Sequence, residues 1–314
     1  MSKNILAIDT TNAIFRIAAQ NMKYSKGEFS APLAIHALLL MIKKYYTTYK
    51  PDMIYFAFEG RNNWRKTYTK SPEVLTFQKY KGNRVVDKTM ENVISILIEF
   101  QNLLENATTC ITLQHEICEG DDLIAGVAQH HSMLGDKVTI VSTDKDFIQL
   151  LKYKNVKLFD PLSNAFRTCD DVEFFIFEKC IRGDKGDNVI SAYPRVRSTV
   201  LKKAMTDDYT KTEILNHTWN ITIGEEEKIY RVGDLFEENK RLLILDEQPD
   251  YVKDAIFSHI KEQLALEKKF DHFMMIKFLS KNNMQNVLKN ISDFIPMFNI
   301  KQKIETEDST LFNY

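Results

Sequence analysis

Acidic residues stand where apolar runs end in this chain. Asp9 follows NILAI, Glu59 follows MIYFAF and Asp144 follows VTIVST. Runs of this length and composition read as buried strands. Three carboxylates are therefore expected at the carboxyl ends of three strands, the edge of an open parallel sheet where ligands bind. One such Asp is commonly a turn or helix cap; three on one edge ask for another explanation. Two clusters join them: Glu119, Asp121 and Asp122 in CEGDDLIAGVA, and Asp146 beside Asp144 in STDKDFIQL. Like charges crowded together need a counter-charge, and no dense basic run lies beside them in sequence. Divalent cations meet that need. Oxygen ligands with neither His nor Cys nearby select hard ions such as Mg²⁺ or Mn²⁺ over zinc. A helix whose dipole favours acids would explain Asp121 or Asp122 but not the whole set. A last pair, Asp184 and Asp187, lies in KCIRGDKGDNVIS. There Gly183 and Gly186 allow tight turns that could aim both carboxylates at the same cleft.

The chain's 42 basic and 43 acidic residues nearly cancel, so net charge gives no sign of a nucleic-acid partner, but the distribution does. Between Gly60 and Lys88, Arg61, Arg65, Lys66, Lys70, Lys79, Lys81, Arg84 and Lys88 face only Glu73 and Asp87. Such a run is ordinarily a solvated face. Here Trp64, Tyr68, Phe77 and Tyr80 are interleaved with it, as in surfaces that hold phosphates and stack bases.

The elements that must position these groups follow from periodicity. Ile5 to Ile8, Met53 to Phe58, Thr109 to Leu113 and Val138 to Val141 read as strands. Pro32 to Tyr49 and Thr89 to Leu104 carry the helical period. Their alternation predicts a mainly parallel sheet covered on both faces. From about Asp171 the pattern becomes helical, at Val172 to Ile181, Ser198 to Met205, Leu235 to Leu245 and Tyr251 to Leu264, with Trp219 to Ile223 a strand or a buried turn. Length fits two domains, expected at 1–171 and 172–300, with 301–314 as a tail. Cys110, Cys118, Cys169 and Cys180 form no C-x-x-C pair and suit reduced thiols in a core. No apolar stretch reaches the ~20 residues of a membrane span, and the first 20 residues lack a signal sequence. The expected location is the host cell cytoplasm, with no membrane partner.

The strings EGDD, STDKDFIQL and GDKGDN, with YKGNR at Tyr80 to Arg84, resemble the motifs of the 5′-nuclease family of flap endonucleases, bacterial polymerase I exonuclease domains and phage exonucleases. The helical half, with VRS at Val196 to Ser198 and the stretch ENKRLLILDEQPDYVKDAI, is most similar to the ribonucleases H of T-even phages. The likeness covers about residues 3 to 295. It implies a PIN-like α/β nuclease domain, a helical arch at about 60–90 and a helix-three-turn-helix element gripping duplex DNA. By motif position, Asp9, Glu59, Glu119 and Asp121 would serve one metal site and Asp144, Asp146 and Asp184 the other. Asp122 and Asp187 would act directly or through water. Lys81 and Arg84 would hold the scissile phosphate, with Lys179 as a second basic group near the site. Arg61, Arg65, Lys66, Tyr80, Arg195, Arg197, Lys202 and Lys203 are the further candidates for nucleic-acid contact. The chain departs from the family at Glu59, where Asp is usual, and at Ser191 to Arg197, which replaces a glycine-rich hairpin. Its first strand also begins almost at once, so functions that relatives place on an N-terminal extension are expected to be absent.

The resemblance implies hydrolysis with two Mg²⁺ ions, Mn²⁺ substituting, on DNA or RNA·DNA duplexes with 5′ ends or flaps, and RNA-primer removal in phage replication. A sliding clamp and a single-stranded-DNA-binding protein are the expected protein partners. The rivals are a PIN-type ribonuclease acting on free RNA and a catalytically inactive protein that binds DNA forks. The pair His130-His131 falls late in a helix, where imidazoles more often cap carbonyls than catalyse. The tail reads as ordinary disorder or, through Leu311, Phe312 and Tyr314, as a peptide for a clamp groove.

Overall fold

The computed structural model describes residues 2–24, 29–72, 74–76, 78–83, 88–223 and 226–300. Arg84, Phe77 and the 301–314 tail lie outside these, as does part of the expected arch. In chain order the first half contains β1 (Asn4–Asp9), α1 (Thr10–Tyr24), α2 (Ala31–Tyr49), β2 (Met53–Ala57), α3 (Trp64–Tyr68), α4 (Lys88–Ala107), β3 (Ile111–Leu113), α5 (Gly120–Met133), β4 (Lys137–Val141), β5 (Val156–Asp160) and β6 (Ala165–Arg167). The second half contains α6 (Val172–Arg182), α7 (Ser198–Ala204), α8 (Asp208–Asn216), β7 (Thr218–Ile223), β8 (Glu226–Arg231), α9 (Val232–Leu243), α10 (Asp250–Ala265), α11 (His272–Lys281), α12 (Gln285–Lys289) and α13 (Ile295–Phe298).

The sheet runs β3-β2-β1-β4-β5-β6, parallel except for β6. Its strands are apolar throughout because both faces are covered, and side-chain alternation sorts them. Leu6, Ile8, Ile54 and Phe56 face one core with α1, α2 and α4. Ile5, Ala7, Tyr55 and Ile140 face the other with α5. The expected mainly parallel sheet is thus present, with β5 and β6 extending it beyond the four strands read from the sequence. Trp219 to Ile223 is a strand: β7 pairs antiparallel with β8 in a two-stranded ribbon.

Packing divides the second half differently from the expected 172–300 unit. Residues up to α9 have their own core of Phe177, Ile181, Leu201, Ile214, Tyr230 and Leu235. Beyond α9, the chain returns to the sheet domain. Val252, Ile256 and Ile260 of α10 join the α5 side, and Met275, Phe278, Met297 and Phe298 complete the opposite core. Amphipathic helices must bury their stripe somewhere, and sequence does not say against which partner. Gly126 permits the α5–α10 approach: a Cβ there would sit 2.3 Å from Ile256 Cγ2. Among the described residues no helix is long and apolar enough to cross a membrane.

Candidate active site

Strand order reverses between β1 and β4, opening a crevice at their carboxyl ends. Register makes that edge common to three strands, since Asp9 lies opposite Ala57 and Ile8 opposite Val141. Asp9, Glu59 and Asp144 therefore leave the sheet together. Asp9 is buried and accepts hydrogen bonds from the Asn12 amide (3.0 Å) and the Ser142 hydroxyl (2.8 Å). The Ser142 hydroxyl also receives the Asp144 amide at 3.0 Å, and Asp144 receives that of Asp146 at 2.8 Å. Asn12 Oδ1 accepts from the Thr143 hydroxyl at 2.9 Å, joining α1 to the β4 loop. Glu119 and Asp122 form a capping box that starts α5. This directs Glu119 and Asp121 to the same edge.

The acids separate into two groups, each closed by a lysine. Lys81 binds Glu119 and also feels the charges of Asp187, Asp121 and Glu59, which hold its ammonium protonated despite burial. Lys179 bridges Asp146 at 2.6 Å and Asp184 at 3.1 Å. Asn12, Thr143, Asp144, Lys145, Asp146, Lys179 and Asp184 line a cavity of 490 Å³ beside the second group. A larger cavity of 810 Å³ lies elsewhere, along residues 105–106 and 266–273, and holds none of these acids.

The electrostatics show unmet demand for positive charge. Burial, then the Asp144 charge, raises Asp9 to about 6. Burial, then Glu119, raises Glu59 to about 7. Burial and the charges of Asp9, Asp144 and Glu59 push Asp121 well above its ordinary value. Burial and Asp144 raise Asp146 to about 6 even with Lys179 alongside. Asp184 goes the other way: against the cost of burial, Lys179 and the amides of Asp187 and Gly186 hold it low. Among the described residues no three of these acids close on one point as a finished cage, and the lysines stand among them. An oxygen-only donor set with this repulsion suits hard divalent cations. The residues that could hold them are Asp9, Glu59, Glu119 and Asp121 on one side and Asp144, Asp146 and Asp184 on the other. Asp187, at 2.7 Å from the Tyr80 hydroxyl, lies between the acids and the second half.

Asp122 is not available to a cation. It is fully buried and receives Arg65 through both terminal nitrogens at 2.8 Å, Trp64 Nε1 at 3.3 Å, Gln248 at 3.0 Å and the Glu119 amide at 3.0 Å. Five donors fill a carboxylate's lone-pair sites. Against burial, Arg65 keeps it low in pKa.

Arg65 likewise does not reach nucleic acid. It is 1% exposed, and besides Asp122 it binds Glu119 at 3.1 Å and the Leu242 carbonyl at 2.7 Å. Its charge is used internally because two buried carboxylates require it. Trp64 and Tyr80 are buried too, so neither can stack a base; the Tyr80 hydroxyl is engaged by Asp187 and lies 3.0 Å from Glu119.

Arg61 and Lys66 are exposed, as are Arg195 and Arg197 on the α6–α7 loop and Lys202 and Lys203 on α7. The loop begins at Gly183, whose φ of 66° and 2.2 Å Cβ approach to the Ile190 carbonyl exclude other residues. Asp184 then pairs with Val189 and caps the amides of Gly186 and Asp187. His130 and His131 lie away from this edge. Rather than capping carbonyls with its ring, His131 bridges the Tyr55 hydroxyl (2.7 Å) and Asp136 (2.8 Å) within the core. Sequence reasoning missed Asn12 and Ser142, which orient the acids. Their signal was proximity to Asp9 and Asp144 in DTTN and STD.

Residues 4–179 match the profile of the 5′-3′ exonuclease N-terminal, resolvase-like domain. The chain is 29% identical over 181 residues to the ribonuclease H of Enterobacteria phage T4, a match covering 56% of this chain and 58% of that protein. It is 28% identical over 271 residues to the flap endonuclease of Escherichia phage T5, covering 81% and 86%. The T5 D15 protein, co-crystallised with metal ions, superposes with a TM-score of 0.60 over 85% of this chain and all of that one. At 20% identity that last likeness concerns the fold, a PIN-like α/β domain with appended helices.

Proposed function

Because the chain belongs to the 5′-3′ exonuclease family, whose N-terminal domain its residues 4–179 match, we propose that it is a structure-specific 5′-nuclease. Its substrates would be DNA and RNA·DNA duplexes bearing 5′ ends or flaps, and its setting RNA-primer removal in phage replication, in the host cytoplasm. The observation that carries the reading is the gathering of two carboxylate groups, each with its lysine, at the sheet's switch point.

Asp9, Glu59, Glu119 and Asp121 would hold one divalent cation, and Asp144, Asp146 and Asp184 a second. Mg²⁺ is the fitting ion and Mn²⁺ a substitute. When bound, such a pair supplies activation of water and charge neutralisation on the leaving oxygen. Asn12 and Ser142 keep the Asp9 carboxylate turned to the crevice, and Ser142 sets Asp144 beside it. Lys81 and Lys179, already held at the acids, would exchange part of that pairing for the scissile phosphate. Arg61, Lys66, Arg195, Arg197, Lys202 and Lys203 would grip backbone phosphates, which fix register without reading sequence. A sliding clamp and a single-stranded-DNA-binding protein are the proposed protein partners.

The test is cleavage of labelled flap, nicked-duplex, RNA·DNA and free single-stranded RNA substrates with Mg²⁺ or EDTA. Mg²⁺-dependent release of 5′-terminal products from the duplexes is expected. Cleavage of free RNA alone, or binding without cleavage, would overturn the proposal.

A further inference from the structure

The turn that carries Lys81 is stitched to the GDKGDN loop by contacts that the metal reading does not use. The Lys81 amide donates to the Asp187 carbonyl at 2.8 Å. Asn188 Nδ2 donates to the Lys79 carbonyl at 2.9 Å, and Asn83 Nδ2 to the Lys185 carbonyl at 3.2 Å. The Tyr80 hydroxyl adds its bond to Asp187. Two residues in these stitches, Lys81 (φ 52°) and Asn188 (φ 59°), have left-handed backbones. Asparagine tolerates that region well, whereas lysine adopts it only when its surroundings impose it. The loop that imposes it leads from α6 into the segment bearing Arg195, Arg197, Lys202 and Lys203.

We propose that Asn188 is a positioning residue for cleavage. By holding the Lys79 carbonyl, it fixes the turn that keeps the Lys81 ammonium at Glu119 and facing an incoming phosphate. The inference rests on the reading of Lys81 as a phosphate-holding group. It makes the lysine's placement a property of the second half of the chain, so the half proposed to grip duplex also sets the geometry of the cut.

The experiment is a double-mutant cycle on the full chain with Asn188→Gly, Lys81→Ala and their combination. Glycine tolerates the left-handed backbone while removing the side-chain amide. Asn188→Asp, which keeps the shape but turns the donor into an acceptor, is the second probe should glycine loosen the loop. Single-turnover cleavage of a 5′-flap duplex in Mg²⁺ is read beside duplex affinity in EDTA and melting temperature. Asn188→Gly and Asn188→Asp are expected to slow cleavage by about tenfold, with affinity and melting unchanged. In the Lys81→Ala background they should have no further effect, because non-additivity marks residues acting through one another. Additive losses in the double variant, or losses that follow melting temperature, overturn the proposal. If Lys81→Ala alone cleaves at the wild-type rate, the reading of Lys81 falls first and takes the role of Asn188 with it.

Discussion

Replacing Arg65 by methionine removes the cation at the centre of the α3–α5–α9 junction while keeping a long apolar stem. The side chain donates to Asp122 through two nitrogens, to Glu119 and to the Leu242 carbonyl, all within 2.7–3.1 Å, and is 1% exposed. Its loss strands the Asp122 carboxylate, buried at 0% exposure, without a cation and leaves Glu119, at 3%, paired with Lys81. Deleting one partner of a buried pair costs about 3–5 kcal/mol, most of it the charge left behind. In a chain of 314 residues each kcal/mol moves the melting temperature by about 1.5 °C, so a fall of roughly 5–8 °C is expected. The exposed neighbour makes the control: Lys66→Met should change stability by no more than about 0.5 kcal/mol. Calorimetric melting of both variants, beside duplex affinity in EDTA, decides the matter. An unchanged melting temperature for Arg65→Met with weakened duplex binding would refute the internal role and restore Arg65 to the nucleic-acid surface.

Three further outcomes follow. Glu59→Gln removes one anionic ligand and should raise the Mg²⁺ concentration for half-maximal cleavage; a titration curve identical to wild type would take Glu59 out of the site. In EDTA, Asp9, Glu59 and Asp146 have folded pKa values raised from 3.8, 4.5 and 3.8 to about 6, 7 and 6. Such groups favour the fold below their unfolded pKa and cease to as pH rises through the folded value. Melting temperature should therefore fall between about pH 4 and 7, and Mg²⁺ should restore more of it at the upper end; a melting curve flat with pH contradicts this. Gly126→Val places a side chain against Ile256 and should destabilise by about 1–3 kcal/mol through overpacking. Wild-type melting in that variant would show that α10 does not lie as described.

Sequence alone determined much of this protein. Buried strands and amphipathic helices declare themselves by period, so β1, β2 and β4 and the helices α2, α4, α6, α7, α9 and α10 were legible at nearly their observed bounds, whereas the short α3 and α8 were not read. The acids ending those strands pointed to the shared edge where they now stand together, because a carboxylate's place relative to its own strand is local information. What sequence could not decide was the use of each charge. Arg65 and Asp122 read as phosphate and metal contacts, yet they neutralise each other because α3 and α5 meet 57 residues apart in the chain. Tyr80 and Trp64 read as stacking platforms but are buried in the same junction. The last helices read as part of a second domain, although α10 to α13 close the two cores of the first. In each case a side chain's chemistry is fixed by its type, while its partner is fixed by contacts far apart along the chain, and these exist only once the sheet has brought the helices together.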